Sequence, residues 1–97
     1  MTTAILKKVA GQFSLTEDQI LEEGVKAFLQ EQLHALEAER QSIFSRFSVK
    51  TLEELDECIT NRPDQESENL GNLQRADYLT DRMLAVRNML DDLNNHD

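Results

Sequence analysis

The stretch that decides the fold is residues 16–47, TEDQILEEGVKAFLQEQLHALEAERQSIFSRF, which lacks proline and is rich in Glu, Gln, Ala and Leu. These residues favour helix, so the stretch predicts one α-helix about 45 Å long at 1.5 Å per residue. Its second half carries a stripe that steps by four and three: Leu29, Leu33, Leu36, Arg40, Ile43 and Phe47. Such a heptad stripe is typical of a helix that packs against another, as in a coiled coil.

Arg40 is the polar member of this stripe, and two interpretations are open. Its aliphatic stem covers apolar surface while the charge reaches water, or it pairs with a carboxylate of another helix and sets the register. The commoner fate of such an arginine is the first.

Capping patterns set the boundaries of the predicted helices. Residues 14–17 fit a capping box, with residues 16–19 as a rival two positions later. Residues 51–54 fit a second capping box, which begins a short helix over 51–60. Residues 61–69, which are polar and contain Pro63, predict a loop.

A second long helix is predicted over residues 70–94. Its stripe steps by three and four, and three further apolar residues widen it. The stripe is Ala76, Leu79, Met83, Val86, Leu90 and Leu93, widened by Tyr78, Leu84 and Met89. Two long helices joined by a short one predict an all-α antiparallel hairpin. The second helix is expected to lie along the second half of the first and part of its first half.

Residues 1–13 predict a short N-terminal helix with Ile5, Leu6 and Val9 on one side, which Gly11 is expected to end. The alternative is a strand followed by two helices, as in ribbon–helix–helix DNA binders, with lysines making basic contacts. It is disfavoured because Ile5 and Leu6 are adjacent and do not alternate, and because the following helix is too long.

Length and composition narrow the class of protein. Ninety-seven residues predict a single domain over 1–97. With 19 acidic and 10 basic residues the net charge is −9, which makes nucleic acid an unlikely main ligand. One cysteine, Cys58, excludes an internal disulfide, and no apolar run approaches the ~18 residues that cross a membrane. Without a recognisable signal peptide in residues 1–13, we expect a cytoplasmic protein.

The sequence offers no convincing catalytic, cofactor or metal site, so we expect a protein that is not an enzyme. Glu31 and His34 form a Glu-x-x-His step, which recurs in di-iron helical bundles. Such sites need two copies and two further carboxylates, so only a metal site at a dimer interface would satisfy the pattern. The other histidine, His96, lies near the chain end.

The long helix offers more apolar stripe than a 25-residue helix can cover. Two helices rarely bury enough surface for a stable monomer below ~100 residues, so we expect a homodimer or an obligate hetero-complex. Residues 5–13 either fold back over the uncovered end of the stripe or leave it exposed as an apolar surface that another chain can bind. The residues expected to bind a partner are Ile5, Leu6, Val9, Phe13, Leu21, Val25 and Phe28.

The chain also resembles a group of small all-helical prokaryotic proteins that look like antitoxin components of two-gene toxin–antitoxin modules. The matching positions are Leu15–Glu17, Ile20–Leu21, Glu23, Ala27–Leu29, Leu33, Glu37, Phe47, Val49, Thr51–Leu55 and Ile59. The chain departs from that pattern in Gly24 and in the segment 62–66, and the shared positions are structural, so no functional residue transfers. The resemblance implies an acidic protein that binds and masks a small, more basic toxin. The alternative is a self-assembling coiled-coil scaffold or adaptor.

Overall fold

The computed structural model describes residues 3–61 and 66–95. Within them lie four helices: α1 (Thr3–Phe13), α2 (Glu17–Arg46), α3 (Leu52–Thr60) and α4 (Glu66–Asn94). The long helices α2 and α4 pack antiparallel, α3 packs against α4, and α1 packs against α2. The predicted all-α hairpin, with a short N-terminal helix and a short connecting helix, is confirmed. The alternative of a strand at the N-terminus is wrong.

The end of α1 differs from the prediction at two residues. The helix continues through Gly11, and Ser14 follows it with a left-handed φ of 56°. The Leu15 N–H donates to the Ala10 carbonyl at 2.9 Å, and the Ser14 N–H donates to the Gly11 carbonyl at 3.5 Å. This pair of bonds is a Schellman motif, in which Ser14 occupies the position usually taken by glycine. Ser14 therefore ends α1 and does not cap α2.

The cap of α2 is the rival pattern two residues later. The Thr16 hydroxyl accepts from the Gln19 N–H at 3.0 Å, and Gln19 Oε1 accepts from the Thr16 N–H at 2.8 Å. Thr16 has the extended backbone that an N-cap requires. Two N–H groups that the helix cannot pair internally are satisfied by this exchange.

A second Schellman motif ends α2. Ser48 has a φ of 55°, and the Val49 N–H donates to the Phe44 carbonyl at 3.0 Å. The predicted cap of α3 follows, with the Thr51 hydroxyl accepting from the Glu54 N–H at 3.0 Å. The Glu54 carboxylate accepts from the Lys50 N–H at 2.6 Å. Lys50 is the residue before the cap, so the second bond of the predicted capping box is made to its amide and not to that of Thr51.

The start of α4 was predicted too late. The helix begins at Glu66, and so the predicted loop over 61–69 is too long, while residues 62–65 lie outside the described part of the chain. Polarity was the signal for the loop, yet the free N–H groups of a helix's first turn also favour polar and acidic residues. Gly71 is accommodated inside the helix.

The core lies at the closed end of the hairpin, where α3 fills the space between α2 and α4. Its buried residues are Ile43, Phe44, Leu55, Ile59, Ala76 and Leu79. Leu29, Met83 and Val86 continue the burial toward the open end. On α4 four consecutive members of the predicted stripe are buried, from Ala76 to Val86, whereas on α2 only Leu29 and Ile43 are buried and the other members are half-buried. Tyr78, Leu84 and Met89 are exposed and do not widen the core.

The molecule is elongated. Its extents are 62 × 25 × 17 Å, and its radius of gyration is 19.5 Å. A compact domain of this length would have a radius of gyration of about 12.5 Å. The excess reflects two long helices with a core at one end. No helix in the described ranges is both long and apolar enough to cross a membrane.

Polar contacts between α2 and α4 fix their register. Half-buried Arg40 donates from Nη1 to the Thr80 hydroxyl at 3.2 Å, so it pairs with α4, although with a hydroxyl and not with a carboxylate. Carboxylates of α2 pair with α4 at two other places: Glu37 forms a salt bridge with Arg87, and Glu39 accepts two hydrogen bonds from Arg75. Such a planar, two-bond arrangement constrains orientation more than a single charge contact does.

Candidate functional site

A groove lies between α1 and the first half of α2. We call it the α1–α2 groove; its lining is Leu6, Ile20, Leu21, Gly24, Val25 and Phe28, and its volume is about 390 Å³. It forms because the three-residue turn after Phe13 folds α1 back along α2, with Ala10 buried in the contact. The lining carries no charged side chain, so the groove suits an apolar ligand or side chain.

The seven residues predicted to bind a partner are divided by this folding. Leu6, Leu21, Val25 and Phe28 come together in the α1–α2 groove. Val9 is half-buried and Ile5 is exposed, and neither lines the groove. Phe13 is 71% exposed at the end of α1, away from the lining. Thus α1 folds back over part of the uncovered stripe, and Phe28 remains 59% exposed.

A second groove runs between α2 and α4, and Phe28 lines both grooves. We call it the α2–α4 groove; its volume is about 480 Å³, and its lining is Phe28, Leu29, Gln32, Leu36, Arg75, Tyr78, Arg82, Val86 and Met89. Tyr78 and Met89 stand on its α4 side and are 52% and 42% exposed. The two grooves meet at Phe28, so an apolar surface extends from α1 to the middle of α4.

The lining of the α2–α4 groove is basic, whereas the chain as a whole is acidic. Its lining includes two arginines and no carboxylate, in a protein of net charge −9. The Arg75 guanidinium donates from Nε and Nη2 to Glu39 at 2.5 and 2.9 Å and lies 5.1 Å from the Tyr78 ring centroid. These hydrogen bonds lower the pKa of the Glu39 carboxyl and raise the pKa of Arg75. Arg82 has no ion-pair partner among the described residues.

The Glu-x-x-His step lies on a different surface. Glu31 and His34 are exposed, and His34 lines a polar groove with Glu37, Arg40 and Arg87. A salt bridge of 3.6 Å joins Glu37 to Arg87 there. In residues 3–61 and 66–95 no three metal-ligating side chains come together, and His96 lies beyond these ranges. The only cysteine, Cys58, is half-buried on α3.

Sequence reasoning missed the α4 side of the apolar surface. Tyr78 and Met89 are eleven residues apart, which is three helical turns, so they share one face of α4. That signal is present in the sequence, but both residues were assigned to the buried stripe. Gly24 was also not predicted as a lining residue, because a glycine contributes no hydrophobic signal.

Comparison with known proteins identifies a family and nothing closer. A family model described as the Uncharacterized protein MJ0235 family matches residues 1–97. No curated protein and no solved structure matches the chain.

Proposed function

The chain belongs to the MJ0235 family, and we propose that it works by binding another protein and not by catalysing a reaction. The observation that supports this is the α1–α2 groove, where Leu6, Leu21, Val25 and Phe28 leave apolar surface open to solvent. Exposed apolar side chains gathered in one groove favour a protein ligand, because a docked helix would bury them at the spacing of one face.

The proposed partner is a small basic protein. The first two turns of α2, which contribute Ile20 and Leu21 to the groove, also carry Glu17, Asp18, Glu22 and Glu23. Acidic residues around an apolar surface attract a basic partner at long range and select its orientation on contact. The α1–α2 groove would supply the buried centre of the interface, and these carboxylates its polar rim.

The resemblance to antitoxin components suggests the biological role of such a complex. In this proposal the protein is cytoplasmic and masks a small toxin, with the apolar groove as the contact. A self-assembling scaffold remains the second candidate, because the α2–α4 groove offers a further apolar surface on the same face. The proposed metal site at a dimer interface gains no support from the exposed positions of Glu31 and His34.

The experiment is purification of the tagged protein from its native cells, followed by mass spectrometry. We expect one small basic protein in near-stoichiometric amount. Leu21→Asp, which alters a residue of the α1–α2 groove alone, should abolish its recovery, since a buried carboxylate without a partner is costly. Leu84→Asp is the matched control, because Leu84 is 58% exposed and lines neither groove.

Growth assays then separate a toxin from any other partner. Expression of the recovered protein alone should arrest growth, co-expression with the wild-type chain should restore it, and co-expression with Leu21→Asp should not. Recovery of the chain alone, or equal recovery by both variants, would contradict the proposal. A partner that binds through Leu21 but does not arrest growth would limit the conclusion to protein binding.

A further inference from the structure

The chain exposes more surface than its mass requires. Its accessible surface is 7292 Å². A compact monomer of 11.2 kDa would expose about 5,700 Å². The excess of about 1,600 Å² exceeds the ~800 Å² per partner of a standard protein interface and falls in the range of obligate homodimers. The elongated shape therefore leaves enough surface for a stable dimer.

Part of the uncovered apolar surface lies in the open half of the hairpin. There α2 and α4 form a single layer, because α3 packs only at the closed end. A single layer of two helices has two faces, and a domain normally buries one of them against a second layer. Among the described residues no second layer covers the α2–α4 groove, along which Phe28, Tyr78 and Met89 are exposed.

The lining of the groove indicates what would cover it. Six of its nine residues are apolar or aromatic, no carboxylate lines it, and Arg75 is already neutralised by Glu39. The accessible surface of the chain exceeds that of a compact monomer by about the area of a dimer interface, and the same apolar groove on a second copy is a surface that matches this lining.

We propose that a second copy of this chain packs on the α2–α4 groove and forms a homodimer. Its two packed layers are each made of α2 and α4 of one copy. The interface is isologous, so each copy offers the same groove to the other and apolar lining packs against apolar lining. Tyr78 and Met89 become buried from both sides, as large apolar residues at the centre of an interface do.

The test is the solution mass of the full chain, measured by light scattering and sedimentation across the micromolar range. We expect twice the 11.2 kDa monomer mass. The variant Tyr78→Asp, Met89→Asp should dissociate at least about 30-fold more readily, as expected for an interface hot spot. Leu84→Asp should remain dimeric, because Leu84 lies roughly 120–140° around the α4 axis from those two residues. A wild-type monomer at all concentrations, or a double variant that stays dimeric, would overturn the proposal.

Met89→Ser decides the matter if the double variant fails to fold, because Met89 is exposed in the monomer and is not part of the buried core. Circular dichroism should show unchanged helix content and sedimentation an affinity about 10-fold weaker, since a polar side chain would replace an apolar one at the centre of the interface. An unchanged affinity would contradict the proposed packing. Leu21→Asp should stay dimeric, so loss of the dimer and loss of the partner protein are distinguished by different variants.

Discussion

Arg40 on α2 donates a hydrogen bond from Nη1 to the hydroxyl of Thr80 on α4 across 3.2 Å. The Thr80 hydroxyl uses its own proton to donate to the Ala76 carbonyl at 2.8 Å, which leaves its oxygen free to accept from Arg40. The Arg40 guanidinium carbon also lies 5.5 Å from the Phe44 ring centroid. The polar position of the α2 stripe is therefore tied to one residue of α4, and this contact helps to set the register of the hairpin.

Thr80→Val should lower the free energy of unfolding by about 1 kcal/mol, because the half-buried guanidinium loses its acceptor. Arg40→Met should be neutral or stabilising, since an apolar side chain suits the stripe without the cost of desolvating a charge. In the Arg40→Met background, Thr80→Val should then have little effect. Urea unfolding of the four proteins measures the coupling, and strictly additive effects would show that the bond contributes nothing.

Ser48→Gly should raise the free energy of unfolding by about 1 kcal/mol, because Ser48 holds a left-handed φ of 55° that glycine adopts without steric cost. Ser42→Gly is the matched control: Ser42 lies inside α2, is exposed, and should lose stability on the same substitution. Thermal unfolding of both variants gives shifts of opposite sign if the Schellman motif is as described. Destabilisation by Ser48→Gly would argue against it.

Gly24→Ala should raise the free energy of unfolding by about 0.5–1 kcal/mol, because Gly24 is inside α2 and an added Cβ meets no atom within 4 Å. The same methyl group projects at the α1–α2 groove, so it should weaken binding of the proposed partner by about 10-fold. Gly71→Ala is the control. Its Cβ is equally free and lies outside both grooves, so stability should rise while binding stays unchanged. Unchanged binding in Gly24→Ala would contradict close contact at this groove.

Glu39→Gln should make the stability of the fold less dependent on pH in the acid range. Hydrogen bonding to Arg75 lowers the pKa of Glu39 in the folded state, so the pair stabilises the fold above the ordinary carboxyl pKa of 4.5. That stabilisation is lost as the pH falls below 4.5 and through the lowered folded-state pKa. The difference in Tm between wild type and Glu39→Gln should therefore be constant near neutral pH and shrink in acid. The effect is small because both side chains are about half exposed. A difference that grows in acid would show the opposite shift.

Helix boundaries were predictable wherever a short local pattern decides them. Thr16 and Thr51 cap their helices because each hydroxyl reaches an N–H three residues later, a relationship contained within one turn. Ser14 was misassigned because the same residue type also serves after a helix end, and only the backbone φ distinguishes the two uses. The start of α4 was missed because polar residues suit both a loop and a first helical turn.

The candidate site was only half predictable. The sequence identified the apolar α2 residues Leu21, Val25 and Phe28 of the α1–α2 groove, since they follow one face in the first half of α2. It did not identify the α4 side, because Tyr78 and Met89 fall close enough to the buried stripe that periodicity alone assigns them to it. Their exposure depends on how far α4 is rotated about its axis, which the sequence pattern does not specify.

By itself the sequence determined the number of helices, their type and most of their ends, because helix propensity, capping and a three–four stripe act over a few consecutive residues. Only the tertiary structure decided which flank of each stripe is buried, that Arg40 meets Thr80, and that α3 closes one end while the opposite half stays a single layer. Those features join residues that are far apart in the chain, such as Arg40 with Thr80 and Glu37 with Arg87. They depend on the rotation and register of whole helices, which many side chains set together and no short pattern encodes.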